Sequence, residues 1–428
     1  MVTCENGHQN PDDYRFCGEC GAPMVPAMVL CPAGHLTSVN RPFCDECGAP
    51  IIGAAPSVAG GIIYADLPES GSGPSFRMVW GSWKNAKIRR AAMIVGSLLL
   101  VGALAVLGFS VLNSGHDRVG STTTGPGSTT PVTHTVTATV AVGSLPNGVA
   151  VDSGTRTIYT VNHTVRGRVS VIDAKTHKVT ATVPVGGSPV GAAVDPDTHT
   201  VYVTNNDDDT VSVIDGKTHT VTATVRVGHG PFGVAVDPET HTAYVTNAFD
   251  ASVSVIDGNT HTVTATVHVG SGPFGVAVDP ETHTAYVTNS DDDTVSLIGG
   301  STHTVTATVA VSKRPYGVAV DPGTHTIYTA NPDGHTVSVI DGRTNTVIAT
   351  VPVGTKPWQV AVDPVTHTAY VTNYDEDPTL WVINGQAHTV TATVAVGKHP
   401  WGVAVDPNIH TAYVTSYLDG TMTVIESR

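Results

Sequence analysis

Charged residues are scarce in this 428-residue sequence, because Lys, Arg, Asp and Glu together make up only 13% of it. Aromatic residues are also few, at 6%, and no cysteine occurs after residue 47. The rest of the chain therefore cannot be cross-linked within itself by disulfide bonds. From residue 132 onward, 13 Lys and Arg stand against 27 Asp and Glu. This acidic excess argues against nucleic acid as the main partner of that region.

Fixed-period repeats fill that region, and its abundant Val and Thr are β-branched residues that favour strands. A Gly-Val-Ala-Val-Asp segment recurs every 42 or 43 residues, starting at positions 148, 191, 233, 275, 317, 359 and 402. The second copy has Ala for the first Val, and the sixth has Gln359 for Gly. Each repeat contains four strand candidates separated by turn residues. The pattern predicts an all-β fold, a β-propeller of seven four-stranded blades over residues 135–428.

The two ends of the repeat region complement each other. Residues 135–142 have the sequence of a fourth strand with no blade before it, whereas the last repeat ends after a third-strand segment, 422–425. We expect the N-terminal strand to complete the last blade, which closes the ring and removes two exposed strand edges. The alternative is an open solenoid, which requires atypical capping repeats.

A Tyr-Val-Thr-Asn tetrapeptide marks the second strand of several repeats. Intact copies begin at Tyr202, Tyr244, Tyr286 and Tyr370, and variants begin at Tyr159, Tyr328 and Tyr413. Over residues 135–428 the chain thus resembles the YVTN-type β-propeller repeat family. The resemblance implies a surface, secreted or periplasmic protein with a binding or structural role. Some similar propellers are lactonases or redox enzymes, so the fold does not decide the function.

Cysteine and histidine form two matched sets near the N-terminus, displaced from each other by 27 residues. The sets are Cys4, His8, Cys17 and Cys20, and Cys31, His35, Cys44 and Cys47. Three thiolates and one imidazole suit a tetrahedral structural Zn²⁺ site, so residues 1–50 are predicted to form a double zinc ribbon with two Zn²⁺. The alternative is redox-active or disulfide-bonded cysteine. Because this segment has two Arg against six acidic residues, we expect it to dock a cytoplasmic protein rather than nucleic acid.

An uncharged apolar run covers residues 91–112. As a helix it measures about 33 Å at roughly 1.5 Å per residue, enough to cross a bilayer. We therefore predict a transmembrane helix over 88–112, between a flexible linker at 51–87 and a Ser/Thr/Gly/Pro-rich stalk at 113–134. Basic residues cluster just before the run, which places the N-terminus in the cytoplasm and the propeller outside. A buried helix of a soluble domain is the alternative.

An aromatic residue follows Pro just before the first strand of five repeats: Phe232, Phe274, Tyr316, Trp358 and Trp401. These positions are expected to surround the mouth of the central channel, inside acidic loops at 207–209, 291–293 and 375–377. An aromatic crescent with an acidic rim is a candidate site for a protein, a glycan or a small ligand. The alternative is that the aromatic rings wedge between blades and the acids are only solvated.

Histidine recurs in two turns of most repeats, and aspartate ends each first strand. We interpret both as turn chemistry. The alternative for the two histidine rings is a face whose charge rises as the pH falls.

No Gly-x-Ser-x-Gly, phosphate-loop or His-Glu-x-x-His motif occurs. Together these features predict a single-pass, membrane-anchored binding or scaffold protein of a bacterial envelope, and not an enzyme. The alternatives are a lactonase-like propeller enzyme and a transmembrane sensor.

Overall fold

The computed structural model of the chain describes residues 132–375 and 378–428, together with the backbone of four short strands near the N-terminus. Contacts divide the chain into two units, Met1–Thr130 and Pro131–Arg428. The predicted zinc ligands, the linker, the apolar run at 91–112 and nearly all of the stalk lie outside the described residues. Within the part that is described, no helix is both long and apolar enough to cross a membrane.

The four short strands form two antiparallel pairs. Val2–Thr3 pairs with Gln9–Asn10, and Met28–Leu30 pairs with Leu36–Ser38. The second pair follows the first by 26 or 27 residues, so the backbone repeats at nearly the same spacing as the two Cys/His sets.

Seven four-stranded antiparallel sheets make up the second unit, and each is one blade of a propeller. The first strands are Pro146–Asp152, Pro189–Asp195, Pro231–Asp237, Pro273–Asp279, Val318–Asp321, Pro357–Asp363 and Pro400–Asp406. The second strands are Thr157–Asn162, Thr200–Asn205, Thr242–Asn247, Thr284–Asn289, Thr326–Asn331, Thr368–Asn373 and Thr411–Ser416. The third strands are Arg168–Asp173, Thr210–Asp215, Ser252–Asp257, Thr294–Gly299, Thr336–Asp341, Thr379–Asn384 and Thr421–Ser427. The fourth strands are Lys178–Pro184, Thr220–Arg226, Thr262–His268, Thr304–Ala310, Thr346–Pro352, Thr389–Ala395 and, for blade 7, His134–Ala141. A 3₁₀ turn at Pro332–Gly334 follows the second strand of blade 5. The predicted seven-bladed propeller is confirmed.

Ring closure follows the prediction as well. His134–Ala141 pairs antiparallel with the third strand of blade 7, and the backbone N–H groups of Thr133 and Arg428 each donate to the other residue's carbonyl, at 2.7 and 2.9 Å. The first strand of each blade contacts the first strand of the next, and blade 7 contacts blade 1. The solenoid alternative is therefore wrong. The closing strand begins at His134, one residue before the predicted start.

The apolar core lies between the blades. Seven clusters of buried side chains each combine residues of two adjacent blades, and each includes the tyrosine of the Tyr-Val-Thr-Asn tetrapeptide or its variant. Tyr202 of blade 2, for example, shares a cluster with Ala243, Val245 and Ile256 of blade 3. Because burial of apolar surface is the main favourable term in folding, blade-to-blade packing stabilises the ring.

The threonine and asparagine of the tetrapeptide hold neighbouring strands. Thr246 Oγ1 accepts a hydrogen bond from Gly233 N at 2.8 Å and donates to the Phe274 carbonyl of the next blade at 2.7 Å. Asn247 Nδ2 donates to Ser252 and Ser254 of the third strand. Blade 5 has Ala330 in place of the threonine, and there Gly317 N donates directly to the Trp358 carbonyl at 3.0 Å. The tetrapeptide is therefore explained by packing and hydrogen bonding within the ring.

Candidate ligand-binding face

The two faces of the propeller differ in which connections they carry. Because the strands of a blade alternate in direction, second-to-third-strand loops and blade-to-blade connections share one face, which we call the loop face. First-to-second and third-to-fourth turns share the other, which we call the turn face. The predicted aromatic site therefore lies on the loop face, and the two histidine rings lie on the turn face.

The five predicted aromatic residues form a continuous arc across blades 3 to 7. Phe232 and Phe274 have centroids 4.5 Å apart, and Phe274 lies 4.4 Å from Tyr316. Tyr316 stacks on Trp358 at 4.4 Å, and Trp358 meets Trp401 edge-on at 4.9 Å. Offset and edge-to-face geometries at these separations are favourable for aromatic pairs. The structure thus brings all five residues together as one surface element, which we call the aromatic arc.

Burial differs along the arc. Tyr316 and Trp358 are only 5% and 7% exposed, whereas Phe232, Phe274 and Trp401 are partly exposed. The wedge interpretation therefore fits the middle of the arc, and the surface interpretation fits its ends. The indole N–H of Trp358 is buried and has no hydrogen-bond partner among the described residues. Such an unpaired donor costs free energy. Because replacing the buried Trp358 would change the stability of the ring as well as any binding, Trp358 is poorly suited to a test of binding.

Two further aromatic residues extend the arc, and the sequence analysis missed both. Tyr374 lies 5.1 Å from Trp358 and 5.2 Å from Trp401, and Tyr417 lies 5.6 Å from Trp401. Burial raises the pKa of Tyr374 to about 12, so its hydroxyl stays neutral near neutral pH. Each follows the last residue of a second strand, and a search for aromatic side chains directly after the tetrapeptide identifies both.

Arg314 contributes a cationic side chain that contacts the arc. Its Nη2 donates to the Tyr316 hydroxyl at 2.8 Å, and its guanidinium carbon lies 5.6 Å from that ring's centroid. Asp333 lies 3.6 Å from the same guanidinium. Since both groups are partly exposed, this ion pair orients Arg314 more than it stabilises the fold.

Carboxylates of the second-to-third-strand loops accept hydrogen bonds from backbone N–H groups. Asp208 Oδ2 accepts from Gly187 N at 2.6 Å, and Asp292 Oδ2 accepts from Ser271 N at 2.7 Å. Asp250 and Asp419 make equivalent bonds to His229 N and Lys398 N. These carboxylates hold the connection that leads into their own blade. These carboxylates are therefore more than solvated, and their contact with a ligand stays a prediction.

A cavity of about 140 Å³ lies at the centre of the ring, next to the arc. First strands of all seven blades line it, with Phe232 and Trp401 among the lining residues. Gln359 also lines it, at the position where the other six repeats have glycine. The sequence signalled this departure from the repeat, but it was not interpreted as functional.

The turn face carries a set of interblade histidine–aspartate hydrogen bonds that turn chemistry alone did not predict. In each pair, the histidine lies in the first-to-second-strand turn of one blade, and the aspartate ends the first strand of the preceding blade. The histidine Nδ1 lies 2.7–2.8 Å from the aspartate Oδ2. The pairs are His199–Asp152, His241–Asp195, His283–Asp237, His325–Asp279, His367–Asp321 and His410–Asp363. A carboxylate only accepts hydrogen bonds, so Nδ1 carries the proton. We call these the histidine–aspartate clasps.

Turn geometry is still part of the explanation for these histidines. His199 has a φ of +60° and His241 one of +53°, a left-handed conformation in which His is enriched among non-glycine residues. The aspartate Oδ1 accepts from its own turn, as Asp195 does from Asp197 N at 3.0 Å. Five of the six clasp aspartates hold their own turn with one oxygen and the next blade with the other. In the sixth, Asp321, Oδ1 has no hydrogen-bond partner among the described residues.

Within 132–375 and 378–428, no group of three or more His, Cys, Asp or Glu side chains is placed to hold a metal ion. The predicted zinc ligands lie outside those ranges.

Comparison with known proteins gives a family and a fold. No curated protein matches the chain. Among solved structures, the one titled Kuenenia stuttgartiensis hydrazine synthase is similar, with a TM-score of 0.60 and 20% identity over 66% of this chain and 96% of that chain. At that identity the similarity concerns the fold alone. The family model described as YNCE-like beta-propeller matches residues 192–284 and 280–425, more than half of the sequence. The chain belongs to the YNCE-like β-propeller family.

Proposed function

We propose that this chain is a membrane-anchored binding or scaffold protein of a bacterial envelope, and that its propeller captures a partner through the loop face. The aromatic arc is the observation that carries this proposal. Repeat symmetry explains the core tyrosines and the clasps, since they recur in nearly every blade. The arc is confined to blades 3 to 7 and widens at Trp358, Trp401, Tyr374 and Tyr417. A feature that breaks the symmetry of a repeat protein is better explained by binding than by folding.

The partner is expected to bind at the blade 6–7 end of the arc. Trp401 is partly exposed there, and Leu418, which directly follows Tyr417 in sequence, is 56% exposed. Interfaces concentrate their binding energy in aromatic residues that become fully desolvated, and partly buried rings lose little side-chain entropy on binding. A protein or a glycan of the envelope fits this surface.

Replacement of Trp401 tests the proposal. Full-length Trp401→Ala is compared with Trp381→Ala, a tryptophan of the third strand of blade 6 whose Nε1 donates to Thr379. We expect Trp401→Ala to reduce partner capture in pull-downs from envelope extract at least tenfold, since one aromatic hot spot supplies about 2 kcal/mol or more. Trp381→Ala should capture normally while circular dichroism shows both variants folded. Equal capture by wild type and both variants excludes the arc as the binding surface.

The proposed zinc ribbons dock a cytoplasmic protein, with Cys4, His8, Cys17 and Cys20 holding one Zn²⁺ and Cys31, His35, Cys44 and Cys47 the other. Such a short segment gains its fold from the metal. Metal analysis of the purified full-length chain should find two zinc ions, and Cys20→Ser and Cys47→Ser should each remove one. A chain free of zinc after purification without chelator contradicts this part.

The proposed membrane anchor is the segment at 88–112. The full-length chain should stay in the membrane fraction after alkaline carbonate washing, and a chain lacking 91–112 should be released. A cysteine-labelling reagent that cannot cross membranes should react with Ser427→Cys in intact cells and leave the cysteines of residues 1–47 unlabelled. Release of the intact chain by the wash contradicts the anchor.

A further inference from the structure

Blade 5 holds an arginine of its own against the aromatic arc. Arg314 stands two residues before Tyr316, in the connection that leads into the blade. Its guanidinium carbon lies 5.6 Å from the centroid of the Tyr316 ring, and its Nη1 lies 3.6 Å from Oδ2 of Asp333. A guanidinium stacks on aromatic rings and pairs with carboxylates. Blade 5 therefore contains an arginine site whose occupant belongs to the chain itself.

Blade 4 has the same ring and carboxylate positions without the arginine. Phe274 occupies the ring position, Asp291 the carboxylate position and Gly272 the arginine position. Gly272 has a φ of +60°, near the +54° of Arg314, so the backbone bends in the same sense at both places. A Cβ at Gly272 would lie 2.9 Å from Oδ2 of Asp291. The carboxylate thus stands directly beside the glycine, where blade 5 has its arginine.

Asp291 is the carboxylate of this position that the fold leaves unused. It is exposed, and no hydrogen bond or ion pair to its carboxylate occurs within the described residues. By contrast, Asp207 of blade 2 accepts from Ser188 Oγ at 2.5 Å, and Asp333 pairs with the arginine of blade 5. Burial raises the pKa of Tyr316, and the negative charge of Asp291 adds to that shift. Asp291 therefore lies close to the arc and lacks a cationic partner.

The surroundings of Asp291 favour a cationic occupant. Seven aspartates and no lysine or arginine occur in the loops that blades 2 to 4 place on this face, at residues 185–188, 206–209, 227–230, 248–251, 269–272 and 290–293. Phe249 of blade 3 is 71% exposed and stands where blades 2 and 4 have aspartate. An exposed ring in an acidic surface suits a cation with an apolar stem better than it suits an anionic polymer or a neutral glycan.

We infer that blade 4 binds an arginine side chain of the partner protein, at a site formed by Phe274, Asp291 and the open position at Gly272. The guanidinium lies against the Phe274 ring and pairs with Asp291, while the residues next to that arginine contact Phe249. Arginine fits better than lysine, because its planar group stacks and pairs at the same time. This inference rests on the proposed function, since it names the chemistry that the partner presents to the blade 3–4 end of the arc.

Blocked peptides that differ at one residue serve as probes. Gly-Phe-X-Phe-Gly, with arginine, lysine or citrulline at X, is titrated calorimetrically into the full-length chain in detergent. Citrulline has nearly the shape of arginine and no charge. The arginine peptide should bind about fivefold more tightly than the citrulline peptide, since an exposed ion pair and a cation–π contact each contribute modestly. The lysine peptide should lie between the two.

Gly272→Arg fills the site with a side chain of the chain itself, as Arg314 does in blade 5. Because the Asp291 carboxylate has no partner, it can move to make room for the new Cβ. Binding of the arginine peptide should fall about tenfold or more, since like charges repel across an interface. Gly272→Ser is the control, because blade 2 has Ser188 there with a φ of +47°. It should change the affinity by less than about twofold.

Asp291→Asn keeps the test decisive if Gly272→Arg folds poorly. It preserves the shape of the side chain and removes its charge, and it should weaken binding of the arginine peptide about two- to fivefold. Asp207→Asn is the matched control at the same position of blade 2, where Val190 stands in place of the aromatic ring. It should leave the affinity unchanged. Denaturation midpoints show which variants are folded.

The inference is overturned if the arginine peptide does not bind, if the citrulline peptide binds as tightly, or if the two aspartate variants weaken binding equally. Chitotetraose should not displace the arginine peptide, and displacement would assign the surface to a neutral glycan and overturn the inference as well. Because the readout is binding of a defined peptide, failure here leaves the dependence of partner capture on Trp401 standing. Loss of the Trp401 dependence overturns the proposed function independently.

Discussion

His241 of blade 3 places its Nδ1 2.8 Å from Oδ2 of Asp195 in blade 2. The carboxylate is 1% exposed and the imidazole 31%, so the histidine covers a charge that the fold has taken out of water. The same contact links five further pairs of adjacent blades. A residue of a surface turn thereby stabilises the junction between two blades.

Removal of one clasp should destabilise the ring. His241→Ala leaves the Asp195 carboxylate buried without its partner, and we expect a loss of about 1–3 kcal/mol in the free energy of unfolding. His261→Asn is the matched control, because it lies in the other histidine ring and blade 5 carries Asn345 there. It should change the free energy of unfolding by less than about 0.5 kcal/mol. Chemical denaturation measures both, and equal effects would show that the clasp adds nothing beyond turn geometry.

The junction between blades 7 and 1 offers the converse test. Asp406 ends the first strand of blade 7 and is 1% exposed. Blade 1 has Arg156, with a φ of +57°, at the turn position where the other blades have the clasp histidine. No ion pair between these two residues occurs in the described part of the chain. Arg156→His should form a seventh clasp in an unchanged backbone and stabilise the ring by about 1 kcal/mol. A lowered denaturation midpoint would contradict this.

The threonine bridge between blades predicts a sharp difference between two conservative changes. Thr246→Val removes the hydroxyl that accepts from Gly233 N and donates to the Phe274 carbonyl, which should cost about 1–3 kcal/mol. Thr246→Ser keeps the hydroxyl and should cost less than half as much. The denaturation midpoints of the two variants show whether the hydroxyl or the methyl group of Thr246 stabilises the ring. If serine is as harmful as valine, the methyl group and not the bridge is what matters.

The buried tyrosines predict alkaline instability. Burial raises the pKa of Tyr159, Tyr202, Tyr244 and Tyr286 from the ordinary value of 10.0 to about 12. The folded chain therefore holds these protons more tightly than the unfolded chain. Their contribution to stability is complete below pH 10 and is lost as the pH rises toward 12.

Near-ultraviolet absorbance of tyrosinate, followed with circular dichroism, tests that prediction. The core tyrosines should ionise in one step together with unfolding, well above pH 10. Full ionisation near pH 10 in a chain that keeps its strand signal would contradict their burial.

Repetition explains how much of the fold could be predicted. A period of 42 or 43 residues gave the blade count, and the unmatched strand at His134–Ala141 gave the closure. The same regularity hid the clasps, because Asp195 and His241 stand 46 residues apart in turns that each make sense alone. Their pairing depends on how one blade is offset from the next, which local sequence does not encode.

The sequence predicted those residues of the candidate site that occupy the same position in successive repeats. It did not predict those that come from other positions. Phe232 through Trp401 occupy one repeat position and were identified together. Tyr374 and Tyr417 join them from another loop, and Gln359 is a single exception to a glycine. Their proximity arises from the ring, since seven first strands converge on one axis.

Photo-crosslinking at two exposed residues of blade 7 tests the central claim most directly. Leu418 is 56% exposed on the loop face, and Ile409 is 47% exposed on the turn face. A benzophenone amino acid is placed at either position in the full-length chain, and cells are irradiated. Capture through the loop face predicts a discrete crosslinked partner at position 418, lost with Trp401→Ala, and none at position 409. A partner crosslinked at 409 and not at 418 would contradict the account.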